Sequence, residues 1–464
     1  MAPRLTLRRG YVLLLAVTCL LFLAVNLHQR QELFPGRPAR RHLHHRDPAP
    51  PSADQAPDAG WQRATPAPGD LLEDPEEQEP EEQQSAGRPW YLSGGSRWPT
   101  ASSPGRRRLK LWPAEDPGSD RITQQLMFVP ARAEQPEPRL KKILLYNGLG
   151  SWSQMEAGRG VFLRSKCPVD TCSITASKAE AGDAAAILFK DHFSNPSHAR
   201  PPHQVWILYF LECPHHTQHV KHNDVFNWTA TYRRDSDLVA PYERWAYHDD
   251  AVRENPLGAD RNYAANKTRK VAWFVSNCSA RNRRLQYARE LQKHISVDVF
   301  GACGPKKCPR SSATKCFELL DRDYKFYLAF ENSNCKDYIT EKFFVNGLGH
   351  NVLPIVMGAR PEDYARAAPH HSYIHVDMFA SPKELADYLH RLDRDDDLYN
   401  SYFRWKGTGE FINTYFFCRL CAMLHDDFPA KWYRDVNDWW RGPGTCTAVS
   451  WRKSRAPGPT RWTA

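Results

Sequence analysis

Two patterns of hydrophobic and polar positions divide the chain. Its first 140 residues hold one long apolar run and then polar, proline-rich sequence, whereas the rest alternates short apolar runs with helical patterns. Continuous apolar runs bounded by turns are typical of parallel strands that are buried on both faces. We predict such strands at residues 141–146, 184–189, 204–210, 270–275, 296–300, 325–330 and 351–356, and helices at 282–294, 339–348 and 382–392.

This alternation predicts an α/β fold with parallel sheets and right-handed crossovers. A charged, asparagine-rich stretch at residues 253–269 interrupts the alternation. We therefore expect two Rossmann-like domains that face a cleft, at residues 139–262 and 263–445, followed by a tail at 446–464. No GxGxxG sequence follows the first predicted strand, which disfavours a dinucleotide-dependent oxidoreductase.

The long apolar run extends from Tyr11 to Leu27 and follows three arginines. The run is at the short end of the range for a membrane-spanning helix, and positive charge precedes it. These features predict an uncleaved signal anchor, with residues 1–10 in the cytosol and the residues after the anchor in the lumen. The alternative is a cleaved signal peptide, but the run is long for one and ends at a poor cleavage site.

The composition of residues 28–138 predicts a disordered stem. This segment contains half of the 36 prolines, and its residues 51–90 carry ten acidic side chains against two arginines. Such a segment cannot bury enough apolar surface to offset the entropy lost on ordering it. Order is expected to begin near Lys141.

Charge and cysteine content narrow the class of protein. The formal charge of +10 comes from scattered basic residues without a nucleic-acid-binding motif, so we expect no nucleic-acid partner. Eleven of the 12 cysteines follow the apolar run, which is typical of a disulfide-bonded secretory protein, and their odd number predicts an unpaired thiol. Cys418 and Cys421 have CxxC spacing, for which disulfides are favoured over zinc because no second ligand pair follows.

The segment after the strand at 325–330 carries the strongest chemical signal, reading Glu-Asn-Ser-Asn-Cys-Lys-Asp-Tyr-Ile-Thr-Glu-Lys up to Lys342. In open α/β sheets, ligands bind beyond the carboxyl ends of strands, and a helix N-terminus there favours anions. A diphosphate could therefore dock at the start of the helix, with Lys342 adding positive charge and Glu341 accepting from sugar or ribose hydroxyls. Alternatively, Glu341 and Lys342 form a solvated face of a capped helix, and spacing alone does not decide between the two.

A second polar stretch contains Asp235-Ser-Asp237, which has the form of the metal-binding DxD of many sugar-nucleotide transferases. Such short matches are frequent by chance, and the adjacent Arg233 and Arg234 would compete with a cation. Ion pairing of either aspartate with these arginines is favoured over a metal site.

Together these two stretches resemble the signature motifs of the α1,3/α1,4-fucosyltransferase family. Residues 211–214 resemble the family's Glu-Ser-Pro turn, and residues 275–277 followed by Arg284 resemble its Ser-Asn…Arg donor segment. The likeness covers residues 141–440.

Within the family, the sequence is most similar to the core type of invertebrates and plants, which fucosylates the Asn-linked GlcNAc of N-glycans. The likeness rests on Leu-Glu-Cys-Pro at residues 211–214, Ser-Asn-Cys-x-Ala-Arg-Asn at 276–282 and Gly-Ala-Cys-Gly…Cys-Pro-Arg at 301–310.

The resemblance implies a GT-B fold with GDP-fucose bound in the second domain, and inverting transfer of L-fucose in α1,3 linkage to GlcNAc of glycoprotein N-glycans. The alternatives are transfer to antenna GlcNAc, protein O-fucosylation, and a glycan-binding protein without catalysis. The resemblance further implies a type II protein of the Golgi membrane. No metal or other cofactor would be required, although a divalent cation could stimulate transfer.

Residue by residue, the resemblance makes Glu212 the base, and Arg284 and Lys342 the cations beside the diphosphate. The other positions that match the family's donor contacts are Tyr242, Ser276, Asn277, Arg281, Tyr327, Asn332, Tyr338 and Glu341. For each tyrosine, packing in the core is an equally good interpretation.

Three asparagines lie in glycosylation sequons, and we expect a glycan at Asn266. Asn227 lies inside a signature motif, and Asn277 matches a donor contact. The resemblance also implies that the CxxC pair bridges to early cysteines of the first domain, in an order that the sequence does not give; the four are Cys167, Cys172, Cys418 and Cys421.

Overall fold

Strands and helices alternate along the part of the chain that the computed structural model describes, residues 87–101, 109–131, 140–427 and 431–454. These residues all belong to one compact unit, Glu81–Ala464. In chain order the strands are β1 (Lys141–Leu145), β2 (Cys172–Thr175), β3 (Ala186–Lys190), β4 (Val205–Phe210), β5 (Trp228–Thr231), β6 (Trp245–Tyr247), β7 (Arg269–Phe274), β8 (Val297–Phe300), β9 (Tyr324–Phe330), β10 (Asn334–Cys335), β11 (Leu353–Met357), β12 (Ile374–His375), β13 (Gly409–Phe411) and β14 (Cys446–Thr447).

The helices are short except in the second half of the chain. They are α1 (Ile122–Leu126), α2 (Gly160–Arg164), α3 (Arg284–Leu291), α4 (Ala313–Asp323), α5 (Glu341–Phe343), α6 (Pro361–Ala367), α7 (Pro382–Arg394), α8 (Asp396–Ser401), α9 (Phe416–Leu424), α10 (Val436–Arg441) and α11 (Trp451–Ser454). Helix α5 continues as a π-helical turn, Phe344–Leu348. Among the 3₁₀ turns, Pro214–His216 begins four residues after the end of β4.

Two five-stranded parallel sheets form the framework, with the orders β2-β1-β3-β4-β5 and β12-β11-β9-β7-β8. All seven residues of β9 are buried, as are the last five of β4, because central parallel strands are covered on both faces. This arrangement confirms the predicted α/β class with two Rossmann-like halves. Each of the seven predicted strands is present within a few residues of its predicted bounds.

Residues 87–101 and 109–131, which lie within the predicted stem, belong to the described fold, so the predicted disorder does not hold for this part of the stem. Trp90, Leu111 and Ile122 are buried in the core of the first sheet, with at most 7% of their surface exposed. The proline and charge content hid these widely spaced apolar residues, which bury enough surface only by packing onto a sheet formed later in the chain. Residues 28–86 lie outside the described part of the chain.

Near the carboxyl terminus, several elements pack across the predicted domain limits. Helices α9 and α10 belong to the cores around the first sheet, although the sequence assigned them to the second domain. Residues 446 and 447, assigned to a tail, form β14 and pair with β10. Short elements of this kind are stabilised by long-range contacts, which a local pattern does not contain.

Five disulfides connect the described residues: Cys167–Cys418, Cys172–Cys421, Cys278–Cys303, Cys308–Cys316 and Cys335–Cys446. The first two fasten α9 to the first sheet, and they join the four cysteines that the resemblance had paired. Among the described cysteines, Cys213 has a free thiol, and it is buried.

None of the helices within residues 87–454 that the structure describes has the length and hydropathy of a membrane span. The predicted anchor at Tyr11–Leu27 lies outside the described residues.

Candidate active site

The segments that follow β4 and β9 meet at Glu212. Its Oε2 accepts a hydrogen bond from the Tyr338 hydroxyl at 3.0 Å and a longer one from Asn332 Nδ2 at 3.5 Å. Glu212 comes from the first sheet, whereas Tyr338 and Asn332 come from the second. The carboxyl ends of both sheets therefore face one another, as expected for a ligand cleft in α/β proteins.

The local sequence explains why Glu212 projects into the cleft. The strand ends at the buried Phe210, and Pro214 opens a 3₁₀ turn because its fixed φ suits that position. The backbone N–H of Cys213 donates to Glu212 Oε2 at 3.2 Å. About half of the Glu212 side chain, 52%, is exposed, so the carboxylate is oriented and also accessible.

Beside Glu212 lies the free thiol of Cys213. Its Sγ is 3.1 Å from His216 Nδ1 and 3.1 Å from Ser333 Oγ, which belongs to the second sheet's segment. Burial raises the pKa of the Cys213 thiol. His216 Nδ1 lies 3.9 Å from Glu212 Oε2.

A buried ion pair supports the cleft from the second sheet. Glu331 is fully buried and accepts hydrogen bonds from the Thr340 N–H and hydroxyl, both at 2.8 Å, while Lys342 Nζ lies 3.2 Å from its Oε2. Burial raises the pKa of Glu331, and Lys342 opposes that shift. A Cβ on Gly358 would lie 2.5 Å from Glu331 Cγ, so glycine is needed there. Glu331 was not among the predicted site residues, although a glutamate directly after a strand was a visible signal.

Lys342 connects this buried pair to the surface. Its side chain is 25% exposed, and Nζ also contacts Glu341 Oε1 at 3.0 Å and Thr340 Oγ1 at 2.9 Å. Burial works against the charge, but Glu331 and Glu341 raise the pKa of Lys342 above its ordinary value. The Thr340 side chain accepts from the Lys342 N–H, so the predicted helix cap is present. Docking of a diphosphate at this helix start stays a prediction.

Arg284 begins α3, and its side chain is buried beside the segment that follows β7. It donates to the carbonyl of Phe330 at 2.6 Å and to that of Asn277 at 3.0 Å, which joins the ends of β9 and β7. Burial lowers its pKa, and no hydrogen-bond partner of its Nε lies among the described residues. Asn282, which the sequence analysis did not name, donates to the carbonyl of Glu331 at 3.0 Å in the same layer.

Ser276, Asn277 and Arg281 form an exposed edge after β7. Asn277 Oδ1 accepts from the Ser279 N–H at 3.1 Å. Burial and then the charge of Arg281 lower the pKa of His215, which indicates that Arg281 lies near the turn after β4.

The three predicted tyrosines differ in position. Tyr338 bonds Glu212, and Tyr242 donates to the carbonyl of Leu211 at 3.0 Å, so both touch the segment that holds the carboxylate. Tyr327 instead packs in the core of the second sheet, with its ring 5.6 Å from Phe274. Burial raises its pKa to about 12. The structure thus supports core packing for Tyr327.

Both aspartates of the Asp-Ser-Asp sequence are in ion pairs. Asp235 contacts Arg233 at 2.6 Å and Lys336 at 3.0 Å, and the latter contact links the two sheets' segments. Asp237 is fully buried and pairs with Lys431 rather than with an arginine. The favoured ion pairing is therefore observed, with a different partner for Asp237.

The three sequons differ in accessibility. Asn266 is exposed in the loop before β7. The Asn227 amide is engaged, since Nδ2 donates to the Lys431 carbonyl at 2.9 Å and Oδ1 accepts from the Trp206 N–H at 2.8 Å. A glycan on Asn227 would require these hydrogen bonds to break.

Two family models match the chain. One described as "Fucosyltransferase, N-terminal" matches residues 138–243, and one described as "Glycosyltransferase family 10 (fucosyltransferase) C-term" matches residues 264–439. Glycoprotein 3-alpha-L-fucosyltransferase A of Drosophila melanogaster is 60% identical over 385 residues, which are 80% of this chain and 76% of that protein. Alpha-(1,3)-fucosyltransferase C of the same organism is 38% identical over 302 residues, 59% and 70% of the two chains.

More distant relatives carry a different acceptor in their names. The human 3-galactosyl-N-acetylglucosaminide 4-alpha-L-fucosyltransferase is 39% identical over 282 residues, which are 58% of this chain and 74% of that one. A crystal structure of an alpha1,3-fucosyltransferase with GDP-fucose is 16% identical, with a TM-score of 0.41 over 64% of this chain and 94% of that one. From the two family models and the 60% identical relative, we conclude that this chain belongs to glycosyltransferase family 10, the fucosyltransferases.

Proposed function

We propose that this protein is an inverting enzyme that transfers L-fucose from GDP-β-L-fucose, in α1,3 linkage, to the Asn-linked GlcNAc of glycoprotein N-glycans. The observation that carries the proposal is the contact of Glu212, from the first sheet, with Tyr338 and Asn332 of the second. The name of the Drosophila relative at 60% identity supports a glycoprotein acceptor and the α1,3 linkage.

Inversion at the fucose carbon needs one in-line attack and one base to accept the proton of the acceptor hydroxyl. All hydrogen bonds that the Glu212 carboxylate accepts from the described residues are made to Oε2. Oε1 is therefore available to the acceptor, while Tyr338 and Asn332 fix the orientation of the carboxylate. A base held in this way needs no reorganisation at the moment of transfer.

As fucose leaves, negative charge develops on the diphosphate, and preorganised positive groups lower the barrier to transfer. Removing one such group typically raises the barrier by roughly 3 kcal/mol. We assign two accessible cations to the leaving diphosphate, the partly exposed Lys342 at the start of α5 and the exposed Arg281 after β7. Arg284 acts indirectly, because its buried guanidinium donates hydrogen bonds to the carbonyls of Asn277 and Phe330 and so positions the segments after β7 and β9. With these cations in place, we propose that no cofactor is required, although a divalent cation could stimulate transfer.

The compartment follows from the disulfides and the predicted anchor. Five disulfides require an oxidising compartment such as the secretory lumen. We therefore propose a type II protein of the Golgi membrane whose catalytic part is lumenal, with glycoproteins and GDP-fucose as partners. The exposed Asn266 would carry a glycan.

The test incubates the purified protein with GDP-fucose and an N-glycosylated glycopeptide that lacks core fucose. We expect GDP release and a fucosylated product that resists peptide-N-glycosidase F, which marks α1,3 attachment to the Asn-linked GlcNAc. A second acceptor with galactosylated antennae and a reduced core GlcNAc serves as control. Transfer to this control alone, or to Ser or Thr, would contradict the proposed acceptor, and no GDP release with either acceptor would favour a glycan-binding protein.

A further inference from the structure

A cluster of potential metal ligands lies at the turn after β4. Cys213 Sγ and His216 Nδ1 are 3.1 Å apart, and His216 Nδ1 is 3.9 Å from Glu212 Oε2. All three ligand atoms lie within 4.8 Å of one another. The described part of the chain holds two other clusters of this kind, but the cysteines in each are joined by a disulfide and offer no thiolate. The cysteine pairs are Cys172 with Cys421 and Cys335 with Cys446.

The chemistry of this cluster suits zinc. Cysteine sulfur, imidazole nitrogen and carboxylate oxygen are its usual ligands, at about 2.3, 2.0 and 2.1 Å from the ion, so that ligand atoms of a tetrahedral site lie roughly 3.3–3.6 Å apart. The observed separations of 3.1 and 3.9 Å differ from this range by a few tenths of an ångström. Side chains of Glu212 and His216 are 52% and 38% exposed, so an ion can enter from the cleft.

We propose that Glu212, Cys213 and His216 bind a zinc ion, and that this ion inhibits the enzyme by occupying the carboxylate of its base. On binding, the Cys213 S–H bond breaks and its proton passes to solvent. Bonds then form from zinc to Sγ, Nδ1 and a Glu212 oxygen, with water at the fourth position and no change of oxidation state.

A group outside the cluster would stabilise the bound state. Ser333 Oγ lies 3.1 Å from Cys213 Sγ, and once the thiol is deprotonated this hydroxyl can turn and donate to the thiolate. Hydrogen bonds of this kind orient metal ligands. Neither Lys342 nor Arg284 touches the cluster, so GDP binding is expected to persist while transfer stops. The inhibitory effect, but not the binding of zinc, rests on the proposed role of Glu212.

Binding is tested by spectroscopy, independently of transfer. Titration of the purified protein with Co²⁺ should give a near-ultraviolet sulfur-to-cobalt charge-transfer band and tetrahedral d–d bands, and Zn²⁺ should remove them. We expect Cys213→Ser to lack the charge-transfer band, and His216→Gln to weaken Co²⁺ binding by about tenfold or more. The control is His215→Gln, which changes the neighbouring histidine. The cysteines near His215 form a disulfide and offer no thiolate, so this variant should leave the spectrum unchanged.

Inhibition is tested by fucosyl transfer at increasing Zn²⁺, with thermal unfolding as the check that each variant is folded. The Zn²⁺ concentration for half inhibition should rise at least about tenfold in His216→Gln and in Cys213→Ser, relative to wild type and His215→Gln. A charge-transfer band that persists in Cys213→Ser, or no band in the wild type, would overturn the site. Equal zinc sensitivity of wild type and His216→Gln would overturn the inhibition by zinc. If instead the wild type showed no transfer even without zinc, that result would contradict the proposed function.

Discussion

Tyr338 and Tyr232 have similar surroundings but different hydroxyl partners. Their rings are 5.1 Å apart and both are buried, yet Tyr338 donates to Glu212 whereas no hydrogen-bond partner of the Tyr232 hydroxyl lies in the described part of the chain. We expect Tyr338→Phe to lower the turnover of fucosyl transfer by about tenfold, because a positioned hydrogen bond to the base contributes on the order of 1 kcal/mol or more. Steady-state kinetics with saturating GDP-fucose measure this.

Tyr232→Phe is the matched control for that change. It removes a hydroxyl of the same kind from the neighbouring ring, and we expect unchanged turnover and a stability equal to or above that of the wild type, since a buried hydroxyl without a partner is costly. Equal losses of turnover in both variants would show that ring packing, rather than the hydrogen bond to Glu212, is what matters.

Sequence reasoning at the level of single residues was strongest where a side chain acts beyond the end of a strand. Glu212, Asn332 and Tyr338 lie together because they follow the carboxyl ends of strands in two parallel sheets, and these ends face one another across the cleft. Glu331 was missed because its role depends on complete burial and on the proximity of Lys342, and neither is visible in a local pattern. For Tyr327 the sequence left a donor contact and core packing equally open, and the structure places its side chain in the core of the second sheet.

The end of β9 and the start of helix α5 are joined by the ion pair between the buried Glu331 and the partly exposed Lys342. Removing Lys342 alone leaves the carboxylate of Glu331 buried without its cation, and we expect Lys342→Met to destabilise the fold by about 3 kcal/mol, the lower end for a broken buried pair because Lys342 is partly exposed. The double variant Glu331→Gln/Lys342→Met removes both charges and should recover most of that stability. Chemical denaturation measures both effects.

GDP binding distinguishes the structural role of Lys342 from its proposed binding role. We expect weaker GDP binding by calorimetry in both the single and the double variant, since each lacks the ammonium group. Lys336→Met, which removes the partner of Asp235 from the same segment, should retain the affinity for GDP. Wild-type affinity in Lys342→Met would contradict the proposed donor site.

Stability should also depend on pH through the loop before α5. Burial, and next the charge of Asp363, raise the pKa of Asp337 to about 7, while its carboxylate accepts from the Arg234 N–H at 3.0 Å. The folded state therefore binds a proton more tightly than the unfolded state, and this group lowers stability as pH rises from about 4 to 7. In Asp337→Asn that loss is absent, so the variant should gain in melting temperature over the wild type as pH rises.

The control for this measurement is Asp224→Asn, because both aspartates have a left-handed backbone, with φ of 56° at Asp224 and 59° at Asp337, which asparagine tolerates. A melting-temperature difference between Asp337→Asn and wild type that stays constant from pH 5 to pH 8 would contradict the raised pKa.

Elements were predicted well where a continuous apolar run makes a central strand, as in β4 and β9. The two-residue strands β10 and β14 are too short for such a pattern, and their pairing is fixed by the Cys335–Cys446 disulfide and long-range packing. The helix predicted at 339–348 is present, but it changes from α to π geometry at Phe344, which periodicity did not reveal.

At the scale of the whole molecule, two nested disulfides fasten α9 to the first sheet. Cys167–Cys418 and Cys172–Cys421 close loops of 251 and 249 residues, so with one of them intact the other adds only the short loop formed by residues 167–172 and 418–421. We expect removal of one bond, by Cys167→Ala with Cys418→Ala, to cost about 2–3 kcal/mol, and removal of both to cost well over 5 kcal/mol.

Chemical denaturation of the two variants measures this difference. Removal of Cys308–Cys316, which closes a loop of eight residues, should cost about as much as removal of one nested bond and is the control. Equal and additive losses for the two nested bonds would show that their contribution is not set by the entropy of loop closure.

Domain limits were the part of the whole-molecule picture that the sequence predicted least well. Trp90 and Leu111 pack on a sheet whose first strand begins at Lys141, and α9 returns from the end of the chain to the same core. Both contacts join residues that are distant in sequence, and composition averaged over the stem diluted the few apolar side chains that make them. The two-sheet architecture was predicted because it follows from local runs.

The most direct test of the account is the Glu212→Gln variant, compared with Glu156→Gln, which alters an exposed carboxylate. Transfer from GDP-fucose to a core N-glycan acceptor and GDP affinity are measured on the same preparations. We predict that Glu212→Gln lowers transfer by roughly 10²- to 10⁴-fold, the usual contribution of a general base, and leaves GDP affinity unchanged. Near-normal transfer by Glu212→Gln would contradict the assignment of Glu212 as the base.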